Sequence, residues 1–170
     1  MSGRPGYVEL TPFVPDRDIA LLESWLHRPH VSRWWGDPHK ALVEVSQPPA
    51  RGGEELIAVD GAPVGYVRWQ VPAREDLDAA GLHEVPDDVI DIDIAIGEAD
   101  LVGRGVGSRA LSILRERLER GGARTVMLAT SVDNSRAVRA YEKAGFARRR
   151  QFVDTDGGAY WLMMWKAGPG

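Results

Sequence analysis

Residues 89–107 have the sequence VIDIDIAIGEADLVGRGVG, an alternating run followed by three closely spaced glycines. Strict alternation over 89–96 predicts a β-strand with four isoleucines on one face and with Asp91 and Asp93 on the other. Beyond the glycines, leucines at helical spacing predict an amphipathic helix over about 106–120. The glycines therefore lie between a strand and the start of a helix.

The glycine loop is Gly103-Arg104-Gly105-Val106-Gly107. Closely spaced glycines let backbone N–H groups approach an anion, and the N-terminus of the following helix adds a partial positive charge. The spacing matches neither a Walker loop nor a dinucleotide-binding fingerprint. A pyrophosphate site is one interpretation of this loop, and a plain tight turn is the other.

The rest of the chain predicts an α/β fold in which helices flank a mixed, mostly antiparallel sheet. In the segment 72–88 the apolar residues follow neither the helical nor the strand period, so the segment is interpreted as a long acidic loop. A length of 170 residues favours one domain, spanning 1–170. The other predicted strands are 7–14, 55–60, 63–71, 125–130, 147–154 and 159–166. The other predicted helices are about 17–27, 31–35, 38–45 and 134–144.

Composition excludes several classes of site. The chain has no cysteine, which excludes a disulfide framework, a thiolate metal site and a cysteine nucleophile. The histidines have no convincing metal partners, so we expect no metal. The sequence contains no apolar stretch long enough to span a membrane, and its N-terminus lacks the apolar core of a signal peptide. These features favour a cytoplasmic protein.

The formal net charge of −4 conceals two segments of opposite sign. Residues 72–100 hold ten acidic residues and one arginine, whereas residues 101–150 hold twelve basic and four acidic residues. Neighbouring fields of opposite sign suggest two ligands of opposite charge. An acidic loop and an arginine-rich helix that both simply face water are the alternative. The short run Arg148-Arg149-Arg150 and the acidic balance argue against nucleic acid.

A second motif, NSRAVRAYEKAGF at 134–146, follows the glycine loop. Together the two motifs resemble the GNAT superfamily of N-acetyltransferases. The resemblance implies that the N–H groups of 103–107 bind the pyrophosphate of acetyl-coenzyme A. It also implies that Asn134 contacts the pantetheine arm and that Tyr141 lies near the thioester sulfur as the acid. A helix N-cap for Asn134 and core packing for Tyr141 are the alternatives.

Three arginines of the two motifs are candidates for pairing with the phosphates of the cofactor. Each of them is equally compatible with a solvated helix surface. They are Arg104, Arg136 and Arg139.

The segment VSRWWG at 31–36, preceded by Trp25-Leu26, resembles aminoglycoside 6′-N-acetyltransferases and siderophore-pathway acyltransferases. In the aminoglycoside enzymes, an acidic residue of the strand before the glycine loop is the base, and Asp93 occupies that position by register. Trp34, Trp35 and Trp69 are candidate walls for sugar rings, although core packing is the favoured interpretation of each taken singly. A second position that is often acidic in those enzymes is Ala129 here.

The chemistry of the strand agrees with this resemblance. Asp91 and Asp93 lie on one strand face, about 6–7 Å apart by the rise per residue. Neighbouring carboxylates and partial burial raise the proton affinity of at least one of them, which suits a general base that deprotonates an ammonium group. Two solvated aspartates on an exposed sheet face are the alternative. Without a cysteine nucleophile, direct transfer in a ternary complex is the expected mechanism.

The sequence thus predicts an acetyl-coenzyme A-dependent N-acetyltransferase of a polycationic aminosugar, with the 6′-amine of aminoglycosides as the expected acceptor. Asp93 and Tyr141 are the predicted catalytic residues, and Asp91, Trp34 and Trp35 the predicted substrate-binding residues. Three alternatives remain: an acyltransferase acting on a hydroxylysine-like siderophore precursor, a non-catalytic coenzyme A-binding module and a protein N-terminal acetyltransferase. We expect a monomer or homodimer without nucleic-acid or membrane partners.

Overall fold

The computed structural model describes residues 6–169, which form seven strands and six α-helices. The strands are β1 (Val8–Pro12), β2 (Gly53–Val59), β3 (Ala62–Gln70), β4 (Ile90–Ile96), β5 (Thr125–Ser131), β6 (Ala147–Val153) and β7 (Ala159–Lys166). The helices are α1 (Pro15–Leu26), α2 (Pro29–Trp35), α3 (Pro38–Val45), α4 (Arg74–Ala79), α5 (Val106–Arg120) and α6 (Ser135–Lys143). A 3-10 turn at Ala99–Leu101 connects β4 to the glycine loop. None of these helices is both long and apolar enough to cross a membrane.

The strands form one sheet in the order β1-β2-β3-β4-β5-β7-β6. All neighbours are antiparallel except β4 and β5, which confirms the predicted mixed, mostly antiparallel sheet. The parallel pairing joins Ile90 to Val126 and Asp91 to Met127, although each strand has seven residues. The two central strands therefore separate after Asp91, and the sheet opens between them.

The alternation of β4 distributes its side chains between two core layers. On one face, Ile92 packs with Ala110, Leu111 and Leu114 of α5, whose apolar stripe follows the helical period. Each such leucine contributes about 1.5–3 kcal/mol when it is fully buried. On the other face, Ala95 is buried with residues of α1, α2 and α3. The aspartate face of β4 is thus covered at its C-terminal end and is not a freely solvated surface.

The segment 72–88 is more ordered than the sequence analysis expected. It contains α4, and Leu77, Leu82 and Val85 are buried in a third apolar cluster. Arg74 holds the segment together by donating to the carbonyl oxygens of Leu82 (2.9 Å) and Val85 (2.6 Å). The prediction of a long loop was wrong, because a six-residue helix is too short to show a helical period. The other predicted elements are confirmed to within about two residues at each end.

Candidate active site

Strand β4 places Asp91 and Asp93 on the same face, in register with Gln70 and Arg68 of β3. Neither carboxylate forms an ion pair with any residue in the range 6–169. Two carboxylates two residues apart on one strand face repel each other when both are ionised. The structure therefore brings the predicted base and its predicted neighbour together in one place.

The pKa of Asp93 is raised to about 6, chiefly because protein atoms surround the carboxyl group and disfavour its charge. The negative charge of Glu44 raises the pKa further, whereas the positive charge of Arg68 lowers it. The Asp93 side chain is nevertheless exposed to solvent. A carboxyl group in a concave part of the surface, surrounded by protein but open to water, accounts for both properties. A base with this pKa is largely deprotonated at neutral pH, close to the range that favours general base catalysis.

The pKa of Asp91 is raised well above its ordinary value by burial, and further by the charges of Asp93, Glu44 and Asp154. Three carboxyl groups from three parts of the chain thus act on Asp91. Glu44 belongs to α3 and Asp154 follows β6, so tertiary folding assembles this acidic group. The excess of carboxylates gives the site a negative potential that favours a cationic ligand.

Tyr141 on α6 contacts the main core cluster and is partly buried. Burial raises the pKa of its phenol, and the charges of Asp93 and Asp91 raise it further. The phenol is therefore protonated at neutral pH and lies within electrostatic reach of the two aspartates. Both the predicted role as an acid and the alternative of core packing are compatible with this placement.

Asn134 is the N-cap of α6, because its side-chain oxygen accepts a hydrogen bond from the Ala137 N–H at 3.2 Å. This confirms the capping alternative for Asn134. Helix α6 is joined to α5 by the Ser108 hydroxyl, which donates to the Ala140 carbonyl at 2.8 Å. The two sequence motifs thus lie on adjacent helices that contact each other directly.

The glycine loop presents backbone donors at the start of α5. Gly103 and Gly105 have φ values of +78° and +83°, a conformation that L side chains rarely adopt. Within residues 6–169, the N–H groups from Gly103 to Gly107 have no hydrogen-bond partner, and the first bonded amide of the helix is Arg109 N–H to the Gly105 carbonyl (3.0 Å). A run of unpaired amides at a helix N-terminus can hold an anion, so the loop fits a pyrophosphate.

Arg136 of α6 lies against this loop. A Cβ atom placed on Gly103 would be 3.6 Å from Arg136 Nε, so the guanidinium approaches the backbone of the glycine loop. Arg104 and Arg139 are exposed, and neither forms an ion pair with the described part of the chain. None of the three predicted arginines is neutralised by an ion pair within residues 6–169, and the guanidinium of Arg136 lies against Gly103.

Trp34 and Trp35 of α2 differ in their surroundings. Trp35 packs against the cluster of α1–α3, and its indole N–H donates to the Ile94 carbonyl at 3.2 Å. The ring of Trp34 lies 4.6 Å from the guanidinium of Arg33 in a cation–π contact. Trp35 therefore has a structural contact with β4, and Trp34 is partly buried and less constrained.

Many acids of the segment 72–100 are already paired with arginines. Arg74 pairs with two aspartates of this segment, Arg150 with Glu84, and Arg28 with Glu98. These pairs reduce the charge that the segment offers to a ligand. Asp91 and Asp93 are not among these paired acids, so their charge is not offset by an ion pair within residues 6–169.

Ala129 lies on β5 and is exposed. Because Asp91 pairs in parallel with Met127, Ala129 is on the same sheet face as the two aspartates. The position therefore faces the acidic site, but its alanine side chain supplies no carboxylate there.

Sequence reasoning missed three residues of this site: Glu44, Arg68 and Asp154. Glu44 and Asp154 lie far from β4 along the chain, and nothing in the sequence signals their approach. The sequence could have indicated Arg68 as a site residue. An arginine in the mostly apolar run PVGYVRWQV is unusual, and a buried arginine is almost always paired. Within residues 6–169, no group of three or more His, Asp and Glu side chains is arranged to hold a metal ion.

Comparison with known proteins agrees with this geometry. Residues 14–154 match the family model of the acetyltransferase (GNAT) domain. The chain belongs to the GNAT acetyltransferase family. The GNAT fold expected from the sequence is thereby confirmed.

Two curated relatives of this GNAT chain are the aminoglycoside N(6′)-acetyltransferases type 1 of Klebsiella pneumoniae and Serratia marcescens. Each is 31% identical to it over 158 residues, which cover 87% of this chain and 78% of the relative. Among solved structures, the aminoglycoside acetyltransferase AAC(6′)-Ib in complex with coenzyme A and kanamycin superposes with a TM-score of 0.80 and 28% identity. That match covers 94% of this chain and 95% of the other. AAC(6′)-Ib in complex with paromomycin and acetyl-coenzyme A gives a TM-score of 0.79 at 28% identity, covering 94% and 93%.

Proposed function

We propose that this GNAT domain transfers the acetyl group of acetyl-coenzyme A to an amine of a polycationic aminosugar, the 6′-amine of aminoglycoside antibiotics. The observation that carries the proposal is the Asp93 carboxyl group, which has a pKa of about 6 and lies close to Asp91 and Glu44, on the strand that leads to a loop of unpaired amides. The relatives named for aminoglycoside acetylation and the neighbours bound to coenzyme A and aminoglycosides support it.

In the proposed mechanism, Asp93 accepts the proton of the substrate ammonium, so that the free amine attacks the thioester. Asp91 and Glu44 attract the remaining positive charges of the substrate and keep the reacting amine close to Asp93. No cysteine is present to carry an acyl intermediate, so the acetyl group passes directly to the amine in a ternary complex.

Acetyl-coenzyme A supplies the acetyl group and is held on the side of Asp93 opposite to the acceptor amine. The unpaired N–H groups of 103–107 bind its pyrophosphate, and the guanidinium of Arg136 adds positive charge beside them. Asn134 contacts the pantetheine arm at the start of α6. Tyr141, protonated at neutral pH, donates a proton to the departing thiolate and regains one from the nitrogen as the amide forms.

Trp34 and Trp35 form the apolar side of the acceptor site, with Trp34 the freer of the two to contact a sugar ring. The protein acts as a single domain of residues 1–170, of which 1–5 and 170 lie outside the described residues. We expect it to work in the cytoplasm as a monomer or homodimer, without nucleic-acid or membrane partners.

A coupled thiol-release assay tests the proposal. Acetyl-coenzyme A is combined with kanamycin-type drugs and with matched derivatives that lack the 6′-amine. Release of coenzyme A with the first set and not with the second is the expected result. Turnover that persists without the 6′-amine would overturn the regiochemistry. Turnover confined to a hydroxylysine-like acceptor, or cofactor binding without turnover of any amine, would overturn the substrate assignment.

A further inference from the structure

Three charged side chains form a row across neighbouring strands on the face that carries Asp93. Glu54 of β2 is in register with Arg68 of β3, and Arg68 is in register with Asp93 of β4. Directly paired residues of antiparallel strands point to the same face, with Cβ atoms about 4.5–5.5 Å apart. Along the row, the positive charge of Arg68 thus lies between the negative charges of Glu54 and Asp93. Asp93 is the end of the row that lies at the candidate active site.

Arg68 is a buried arginine whose side chain is only 4% exposed. Its guanidinium donates to the carbonyl oxygens of Val45 (3.1 Å) and Gln47 (2.6 Å), just at and beyond the C-terminus of α3. It also lies 3.6 Å from the carboxylate of Glu54. Glu54 in turn accepts a hydrogen bond of 2.5 Å from the Tyr66 hydroxyl. The guanidinium is therefore held from several directions and cannot easily change its position.

These contacts direct the guanidinium toward Glu54 and α3, and no ion pair within 4.0 Å joins it to Asp93. Its charge nevertheless acts on the Asp93 carboxyl, because the two residues are cross-strand neighbours in a poorly solvated region. Such an arrangement favours the carboxylate form of Asp93 without occupying its oxygen atoms. Those oxygens stay available for the ammonium group of a substrate.

The same contacts fix the end of α3. Glu44 directly precedes Val45, whose carbonyl Arg68 holds. Loss of these hydrogen bonds would free the last turn of α3 and the acid that it carries. Arg68 thus connects the position of Glu44 to the charge state of Asp93.

The charged and titratable groups around Asp93 come from several elements. Arg68 of β3 and Glu44 of α3 act on its charge directly. Asp93 in turn acts on Asp91 of β4 and on Tyr141 of α6, and Asp154 acts on Asp91. Arg68 is the single cation in this set, so the negative charge of the other acids is opposed locally by one side chain.

Resting on the function proposed above, we propose that Arg68 is a positioning residue for the transfer reaction. Held by Glu54 and the end of α3, it keeps the Asp93 carboxylate ionised and unobstructed, and it keeps Glu44 beside the acceptor amine. It touches neither substrate nor cofactor in this role.

The test compares the variants Arg68→Gln, Arg68→Lys and Glu54→Gln by the pH dependence of kcat/KM. Loss of the positive charge in Arg68→Gln should move the midpoint of the acid limb up by about one pH unit. Arg68→Lys retains the charge and should keep the midpoint near that of the wild type, even where stability falls. Glu54→Gln removes the opposing negative charge and should move the midpoint to lower pH. Arg124→Gln, an exposed arginine far from the site, controls for overall charge.

The second measurement does not depend on turnover. The carboxyl signal of Asp93 in protein labelled with 13C at aspartate side chains, assigned through Asp93→Asn, is titrated in each variant that remains folded by circular dichroism. If Arg68→Gln is poorly folded, Glu54→Gln/Arg68→Gln removes the unpaired buried charge and takes its place. The double variant should still show an upward shift, because Arg68 is nearer to Asp93 than Glu54 is.

The outcomes separate this inference from the proposed function. A wild-type protein without aminoglycoside turnover, in which the Asp93 signal still shifts as expected, leaves the role of Arg68 standing and overturns the proposed function. An active wild type in which neither the acid limb nor the Asp93 titration moves in Arg68→Gln, or in the double variant, overturns the role of Arg68. Equal displacement in Arg68→Lys and Arg68→Gln would also overturn it, because packing rather than charge would then be responsible.

Discussion

Replacing Asp93 with asparagine keeps the shape of the side chain and removes its ability to accept a proton. General base catalysis contributes about 10²- to 10⁴-fold to a rate, so kcat of Asp93→Asn should fall by roughly that factor. The glycine loop follows β4 after a separate turn, and within residues 6–169 none of its amides donates a hydrogen bond to Asp93. The dissociation constant of acetyl-coenzyme A should therefore remain close to that of the wild type.

The pH dependence of the wild-type enzyme follows from the same carboxyl group. With a pKa of about 6, the Asp93 carboxyl is mostly ionised at pH 7. At pH 5 roughly one tenth of it remains ionised, since each pH unit below the pKa reduces the carboxylate about tenfold. The value of kcat/KM should therefore fall with a slope of one below pH 6. The residual activity of Asp93→Asn should not show this fall of kcat/KM below pH 6.

The assay is thiol release under saturating acetyl-coenzyme A from pH 4.5 to pH 8.5, with cofactor binding measured separately by calorimetry. Asp88→Asn is the matched control, because Asp88 is an exposed acid that precedes the same strand. Near-wild-type kcat in Asp93→Asn would refute the assignment of the base. An acid limb that persists unchanged in Asp93→Asn would assign that limb to another group.

Three further outcomes are expected. The raised pKa of Asp93 means that folding favours its protonated form, so its contribution to stability is present below the unfolded pKa and is lost as pH rises through about 6. At pH 7.5 the free energy of unfolding of Asp93→Asn should therefore exceed that of the wild type by about 1 kcal/mol after allowance for solvent exposure. In calorimetric scans the variant should unfold at a higher temperature at pH 7.5, and the difference should vanish near pH 3.5. Asn134→Ala should lower the free energy of unfolding by about 1 kcal/mol through loss of the α6 N-cap, and Asn134→Asp should restore it in urea titrations; equal losses in both would contradict the capping role. Gly105→Ala should cost about 1 kcal/mol at φ +83° and raise KM for acetyl-coenzyme A more than KM for the acceptor; an unchanged KM for acetyl-coenzyme A would argue against the loop as a pyrophosphate site.

Much of the fold could be predicted because the sequence patterns agree with the tertiary structure. Alternation along β4 and the leucine stripe of α5 report burial directly, and the structure places those residues in one core. The segment 72–88 was missed because its order depends on contacts made across space. Its helix is short, and Arg74 satisfies the carbonyl groups of Leu82 and Val85 from eight and eleven residues away.

The active-site region was predictable where one element supplies the group. The spacing of Asp91 and Asp93 on one strand, and of the glycines before one helix, is visible in the sequence. The modifiers of those groups are not visible, because Glu44 and Arg68 approach Asp93 from α3 and β3. A pKa depends on distances between such elements, and the sequence does not contain those distances.

The separation of β4 and β5 bears on the placement of the acidic group and the glycine loop, which the proposed function assigns to one site. Pairing between the strands stops at Asp91, and beyond it the Ile94 carbonyl of β4 is taken by the indole of Trp35 instead of by a strand. The C-terminal half of β4 is thus tied to the helical layer that carries Glu44, while β4 continues into the loop that carries the unpaired amides. Asp93 lies between these two ends of the opening. In the proposed reaction, a cation drawn to the acids would therefore reach Asp93, while a pyrophosphate held by the amides would leave the pantetheine arm to carry the thioester toward it, as direct transfer requires.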